Sequence, residues 1–273
     1  MTRKRIFLTT ILLLFITVNI YLFVSAPQRI SNQNISKLEY SSTDLFNVLA
    51  HINDQARTLY TNQIVQKGKE VGIKFDEDWK HPEIEAGPLP ALFLRETSTI
   101  IEKSKVELGL FLGSDSPISK SNSFSGIQKD KFQEMKKDSL PKYFFDASTR
   151  RNYAMFPDYA VGPACVSCHN EHKESPKTDW QLNDIMGATT WSIPMDSLTT
   201  QEMLLYMRTY IDASIEAYEK FLDEARGFKT NEVPNIGEHW PSAGYYLPDA
   251  RTFRAEMENK HATNSLNEIL KKY

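Results

Sequence analysis

Cysteine is almost absent from this chain: there are two among 273 residues, and both fall in the stretch 165–168. So few thiols exclude a disulfide-built scaffold. Glycine, at 11 residues, is far below a collagen-like repeat, and no phosphate-cradling glycine loop, internal repeat or low-complexity tract is present. An excess of basic charge is also missing, with 32 Lys and Arg against 35 Asp and Glu, a net charge of −3. Without the acid-free first 26 residues the balance is 29 to 35, or −6. A mildly acidic body excludes nucleic acid as a main partner, because phosphate neutralisation needs clustered Lys and Arg. What remains is an ordinary globular composition, 41% hydrophobic and 25% charged.

The first 26 residues point to a membrane. Arg3, Lys4 and Arg5 precede an uncharged run from Ile6 to Ala26. As a helix, twenty-one residues reach ~31 Å, about one hydrocarbon core. The basic flank is expected to stay cytoplasmic and to place the rest in the periplasm, at the bacterial inner membrane. A cleavable signal ending at Val24-Ser25-Ala26 is the rival reading. Its apolar run is longer than the usual ~7–15 residues, and Pro27 is a poor residue after a cleavage site. Both readings give the same compartment.

Residues 27–42 are polar and read as a linker. From Thr43 onward Leu45, Leu49, Ile52, Ala56 and Leu59 recur at helical spacing, and Gly68 and Gly72 close the segment. A Pro-containing stretch from Trp79 to Pro90 leads into a second helix ending near Lys105. Val106–Leu112 reads as a strand, 124–137 as a helix, and 142–146, 152–156 and 187–194 as further strands. Helices followed by an antiparallel sheet give an α+β domain over 43–196. Beyond it, 197–273 reads as a helical extension, opened by a capping box of Thr199 and Glu202. Leu204, Met207, Ile211, Tyr218 and Phe221 form its apolar stripe, residues 227–249 its loop and 249–272 a charged last helix.

Chemistry concentrates in Cys165-Val166-Ser167-Cys168-His169. This is the attachment pattern of a c-type haem. Two thiols three positions apart reach the two vinyl groups of one porphyrin as thioethers, and the adjacent His169 is held beneath the iron as its axial ligand. A translocated domain suits this chemistry. Two rival readings use the same residues. Cys165 and Cys168 have the spacing of a thiol–disulfide pair, but no βαβ pattern surrounds them. Cys165, Cys168, His169 and His172 have zinc-ligand types, yet zinc sites usually draw pairs from separated segments.

The run from Cys165 through His172, Pro176, Asp179 and Trp180 to Asp184-Ile185-Met186-Gly187 resembles a bacterial family of monohaem c-type domains. Leu89-Pro90-Ala91 and Ser114-Asp115-Ser116-Pro117 are similar to that family more loosely. The resemblance covers roughly residues 43–196. It implies a PAS-like or Cache-like sensory fold, an antiparallel sheet flanked by helices, with one covalent haem c on Cys165 and Cys168 and His169 as proximal ligand. Some members of the family carry a distal thiolate. With no third cysteine, this chain must use another ligand or none. His81 and His51 are the leading distal candidates, followed by Met155, Met186 and Met195. His51 lies about 120° from the centre of its helix's apolar stripe, which counts against it. Near the haem, Asn170, His172, Lys173, Lys177, Arg150 and Arg151 could face propionates or only solvent, and Trp180 and Trp191 read most simply as structural aromatics.

No Ser–His–Asp order or paired-carboxylate signature stands out, so no enzyme is expected. The resemblance implies a redox or gaseous-ligand sensor that signals to a separate protein partner. The stripe of the helical extension, which the resemblance does not cover, reads as a helix packed on the sheet rather than a coiled-coil seam, and its apolar residues make it a candidate docking surface. Simple periplasmic electron transfer is the alternative, and a haem peroxidase would need distal acid–base groups that the sequence does not supply.

Overall fold

The computed structural model describes residues 3–24, 39–229, 234–242, 244 and 246–259. It forms two units, 1–38 and 39–273.

In the first unit, helix α1 (Arg3–Val24) forms where the apolar run predicts it. Apolar side chains such as Phe7, Leu14, Phe15 and Tyr21 are exposed on it. Polar residues inside the run are satisfied within the helix: Thr9 donates to the Arg5 carbonyl at 2.6 Å and Asn19 to that of Phe15 at 2.8 Å. Among the described residues no helix is long and apolar enough to cross a membrane. The expectation of a transmembrane segment over 6–26 is therefore met as helix and not as a demonstrated span.

The second unit begins with β1 (Glu39–Ser41) and α2 (Ser42–Leu59). Ser41 caps α2 reciprocally with Asp44: the Asp44 N–H donates to Ser41 Oγ at 3.2 Å, and the Ser41 N–H to Asp44 Oδ2 at 2.8 Å. The stripe Leu45, Leu49, Ile52, Ala56 and Leu59 is buried as its spacing predicts. The chain runs on through a wider π turn, Tyr60–Gln66, and a last α turn, Lys67–Glu70. Gly72, at φ +90, then reverses it.

Next come β2 (Lys74–Asp76) and β3 (Ala86–Pro88), a parallel pair that the sequence reading does not assign. Three residues per strand are too few for alternation to show. Helix α3 (Pro90–Lys103) starts on Pro90, whose missing N–H costs nothing at that position. It is followed by β4 (Gly109–Gly113), α4 (Gly126–Asp138), β5 (Lys142–Asp146) and β6 (Arg151–Tyr159). Helix α5 (Pro163–Glu171), β7 (Ile185–Ile193), β8 (Ser197–Thr199) and α6 (Thr200–Arg226) come after these. A two-residue parallel pair, β9 (Ile236–Gly237) with β10 (Leu247–Pro248), lies within the expected loop. Residues 250–259 form helix α7; the rest of the expected last helix, 260–272, lies outside the described residues.

One sheet organises the unit, antiparallel in the order β4-β7-β6-β5, so its first strand lies beside its last. Period-2 alternation feeds two cores. Leu110, Ala154, Trp191 and Ile193 face a large core built with α2, α3 and α6. Phe111, Met155 and Ala188 face a smaller one built with Phe124 and with Phe132 and Met135 of α4.

Helix α6 is part of the large core. Thr199 and Glu202 form the expected capping box. Of the expected stripe, Tyr218 and Phe221 are buried and Met207 and Ile211 pack against the core, whereas Leu204 is 56% exposed; Met203, Tyr206 and Tyr210 are buried beside them. Tyr210 meets Trp191 edge-on at 5.3 Å and donates to Asn53 Oδ1 at 3.1 Å. Tyr218 donates to the Pro248 carbonyl at 2.9 Å. Most of the expected stripe is thus taken up by the protein's own core, in keeping with a helix packed on the sheet, and only Leu204 of it is left exposed. β8 pairs with β1, which sets the starts of α6 and α2 side by side.

Candidate functional site

Strand β6 ends in an irregularity between Asp158 and Tyr159, and the chain leaves the sheet until β7. Two backbone bonds close the base of this excursion: the Ala160 N–H donates to the Asp184 carbonyl at 2.9 Å, and that of Asn183 to Ala160 at 3.0 Å. Arg57 of α2 pairs with Asp158, which also accepts from the Thr189 hydroxyl at 2.9 Å. The point of departure is thereby anchored to α2 and to β7.

Helix α5 opens on Gly162 and Pro163 and has no buried residue. Cys165 and Cys168, three apart, share one side of it. Cys165 is half-buried, Cys168 is exposed, and both thiols are free. The ring of His169 packs edge-on against Trp180, with centroids 6.4 Å apart and planes at 86°. His169 Nδ1 is buried and has no hydrogen-bond partner among the described residues; the same is true of Trp180 Nε1. The Asn170 amide fastens the following loop to α5, donating to the Trp180 carbonyl at 3.0 Å and accepting from its N–H at 2.8 Å.

His172 faces away to a different neighbour. Its Nδ1 accepts from the Glu174 N–H at 3.1 Å, which puts the proton on Nε2, 3.3 Å from the Glu77 carboxylate. Burial, reinforced by His172 and opposed by Glu77, lowers the His169 pKa, so its imidazole is neutral near pH 7. Burial also pushes the Cys168 thiol up, helped by Glu77, Cys165 and Glu171. Among the described residues no three His, Cys, Asp or Glu side chains gather to hold a bare metal ion.

The remaining sequence-selected residues are scattered. His81 is exposed in a turn, where its Nδ1 is 3.4 Å from the Glu83 N–H. His51 is half-buried on α2. Met155 is fully buried in the smaller core. Met195 packs against the larger one, its sulfur 3.9 Å from the Tyr206 hydroxyl. Met186 is half-buried, its carbonyl accepting from the Ser114 hydroxyl at 2.5 Å. Arg150 sits at a left-handed turn, φ 54. Arg151 bonds across the sheet to Ser192 and the Glu107 carbonyl. Lys173 is exposed, while Lys177 lies 4.6 Å from the centre of the Trp180 ring and pairs with Asp179. Glu77, which the sequence reading did not select, adjoins the site from 95 residues away.

Residues 35–194 match the model of the Tll0287-like family. The chain belongs to this family. Its members are monohaem c-type domains. No curated protein and no solved structure gives a significant match. The Tll0287-like match ends one residue beyond β7, although α6 fills the same core as the matched segment.

Proposed function

We propose that this protein binds one haem c covalently through Cys165 and Cys168, with His169 as an axial ligand, and acts as a redox or gaseous-ligand sensor rather than an enzyme. In this reading α1 holds it at the inner membrane and the sheet domain lies in the periplasm. The sheet order, first strand beside last, is in keeping with a PAS-like fold. The observation that carries the reading is α5 itself. It presents two free thiols and a neutral imidazole within five residues, and none of its side chains is taken up by the core.

Each residue present fits the group. Cys165 and Cys168 supply the two sulfurs, and His169, held neutral by burial, keeps a ring nitrogen lone pair for iron. Asn170 keeps the covering loop on α5. When bound, haem c supplies a one-electron iron couple and a coordination position that a small ligand can occupy.

A route from this helix to the large core supports sensing. His172 touches Glu77 in the loop between β2 and β3. Lys80 of the same loop pairs with Glu96 of α3, a side chain only 8% exposed, and Glu96 also holds Lys220 of α6 at 2.9 Å. A shift of α5 is thereby transmitted to α3 and α6. Electron transfer is the second reading, favoured by the surface placement of α5 between Val161, 82% exposed, and Leu182, 52% exposed.

Carbon monoxide and nitric oxide titrations of the reduced protein, paired with hydrogen exchange of both redox states, separate the two. Sensing predicts a saturable spectral shift or a redox-dependent change of exchange in residues 76–84 and α3. An iron inert to both gases, with identical exchange in the two redox states, leaves electron transfer. Membrane attachment predicts that the protein stays in carbonate-washed membranes and is released by deleting residues 1–26.

A further inference from the structure

We propose that the indole N–H of Trp180 donates a hydrogen bond to a propionate carboxylate of the haem, an inference that rests on the attachment reading above. Trp180 is 5% exposed and its Nε1 has no partner among the described residues. A buried donor left unpaired bears its full desolvation cost, so it calls for an acceptor. The backbone of Trp180 is fixed on both sides by Asn170, which sets the indole against the ring of His169. The indole is therefore held in place with its donor unused, beside the residue that would ligate iron.

Trp191 is the internal control. Its Nε1 is also unpartnered, yet it lies at 0% exposure inside the large core and faces Tyr210 at 5.3 Å and 76°. At that spacing an N–H can meet the face of a ring, which is a weak but sufficient partner. Beside Trp180 the neighbouring ring is that of His169, its centroid 6.4 Å away and its plane at 86°. Among the described residues none accepts from the Trp180 indole, and a bound haem brings acceptors of its own. The ionised groups of a haem are its propionates, and a carboxylate accepts a stronger, charge-assisted bond than a neutral group. Lys177, 4.6 Å from the indole ring centre, adds positive charge at the same place, though Asp179 partly neutralises it.

The test is the haem midpoint potential of Trp180→Phe beside wild type. Without the donor, more of the carboxylate's negative charge acts on the iron and favours the oxidised form. The reduction equilibrium constant is expected to fall about threefold, ~28 mV at 59 mV per tenfold for one electron. An unchanged potential in the haem-loaded variant means that water alone satisfies the indole, and overturns the proposal. A second measurement leaves Trp180 itself intact. Ultraviolet resonance Raman of the holo-protein, compared with Cys165→Ser/Cys168→Ser, should show one indole N–H marker moving to a strongly hydrogen-bonded position; no movement overturns the proposal. If wild type carries no haem, the attachment reading fails first, and the failure is recognisable as that.

Discussion

Helices α5 and α6 use their sequences in opposite ways. Helix α6 has 27 residues and sends eleven of them, including Tyr206, Tyr210, Tyr218 and Phe221, into the core. Helix α5 has nine residues and buries none. The first is held by the hydrophobic effect and by hydroxyl groups that find carbonyl or amide partners. The second is held by its connections: the bonds at Ala160 and Asn183, the Asn170–Trp180 amide pair and the His172–Glu77 contact. The lesson is that α6 is scaffold and α5 is a display, its side chains left for chemistry and not for packing.

The contrast is broken most severely by removing one side of it. Deleting residues 197–273 should abolish folding, with loss of the near-ultraviolet circular dichroism signal and of cooperative melting, because α6 completes the core over α2 and α3. A folded, cooperatively melting truncated protein would show α6 to be an accessory. Point substitutions sharpen the same comparison. Trp191→Ala should cost about 3–5 kcal/mol in chemical denaturation, whereas Val166→Ala on α5 should stay within about 0.5 kcal/mol. Equal costs would contradict the division of labour.

Asn170→Ala should lower stability by about 1–2 kcal/mol by removing two hydrogen bonds, and should hasten proteolysis within residues 172–180. Resistance equal to wild type would show that the loop is held by other contacts. Smaller still is the effect of Glu96→Gln, about 1 kcal/mol, since both ammonium partners reach solvent. Burial opposes ionisation of Glu96, but hydrogen bonds from Lys80 and Lys220 outweigh it and hold the carboxyl below its usual range. A carboxyl lowered on folding stabilises above its unfolded pKa, and that contribution is lost as pH falls through the folded value. The gap between wild type and variant should therefore be full near pH 7 and close in acid. A gap that widens in acid would reverse the sign and refute the assignment.

Which features were legible in the sequence follows from their range. The α2 stripe and the caps at Ser41 and Thr199 are local, written in 3.6-residue spacing and in side chains that reach three residues along. The attachment motif is more local still, with all its ligand types in five consecutive residues. In α6 hydrophobicity alone ranks the exposed Leu204 above Tyr206 and Tyr210, but the tyrosines are larger and carry hydroxyls that meet the Met195 sulfur and Asn53 inside the core. Strands β2 and β3 are too short for any period. Glu77 beside His172 is a contact across 95 residues, which no local pattern encodes. The burial of Trp180 depends likewise on the loop being tied back by Asn170.

The covalent attachment itself is tested most directly by the intact mass and absorption spectrum of protein made in a host competent in cytochrome maturation. The account predicts a polypeptide heavier by one haem, with a reduced-minus-oxidised c-type spectrum that disappears in Cys165→Ser/Cys168→Ser. A colourless protein of bare polypeptide mass from that host would contradict it.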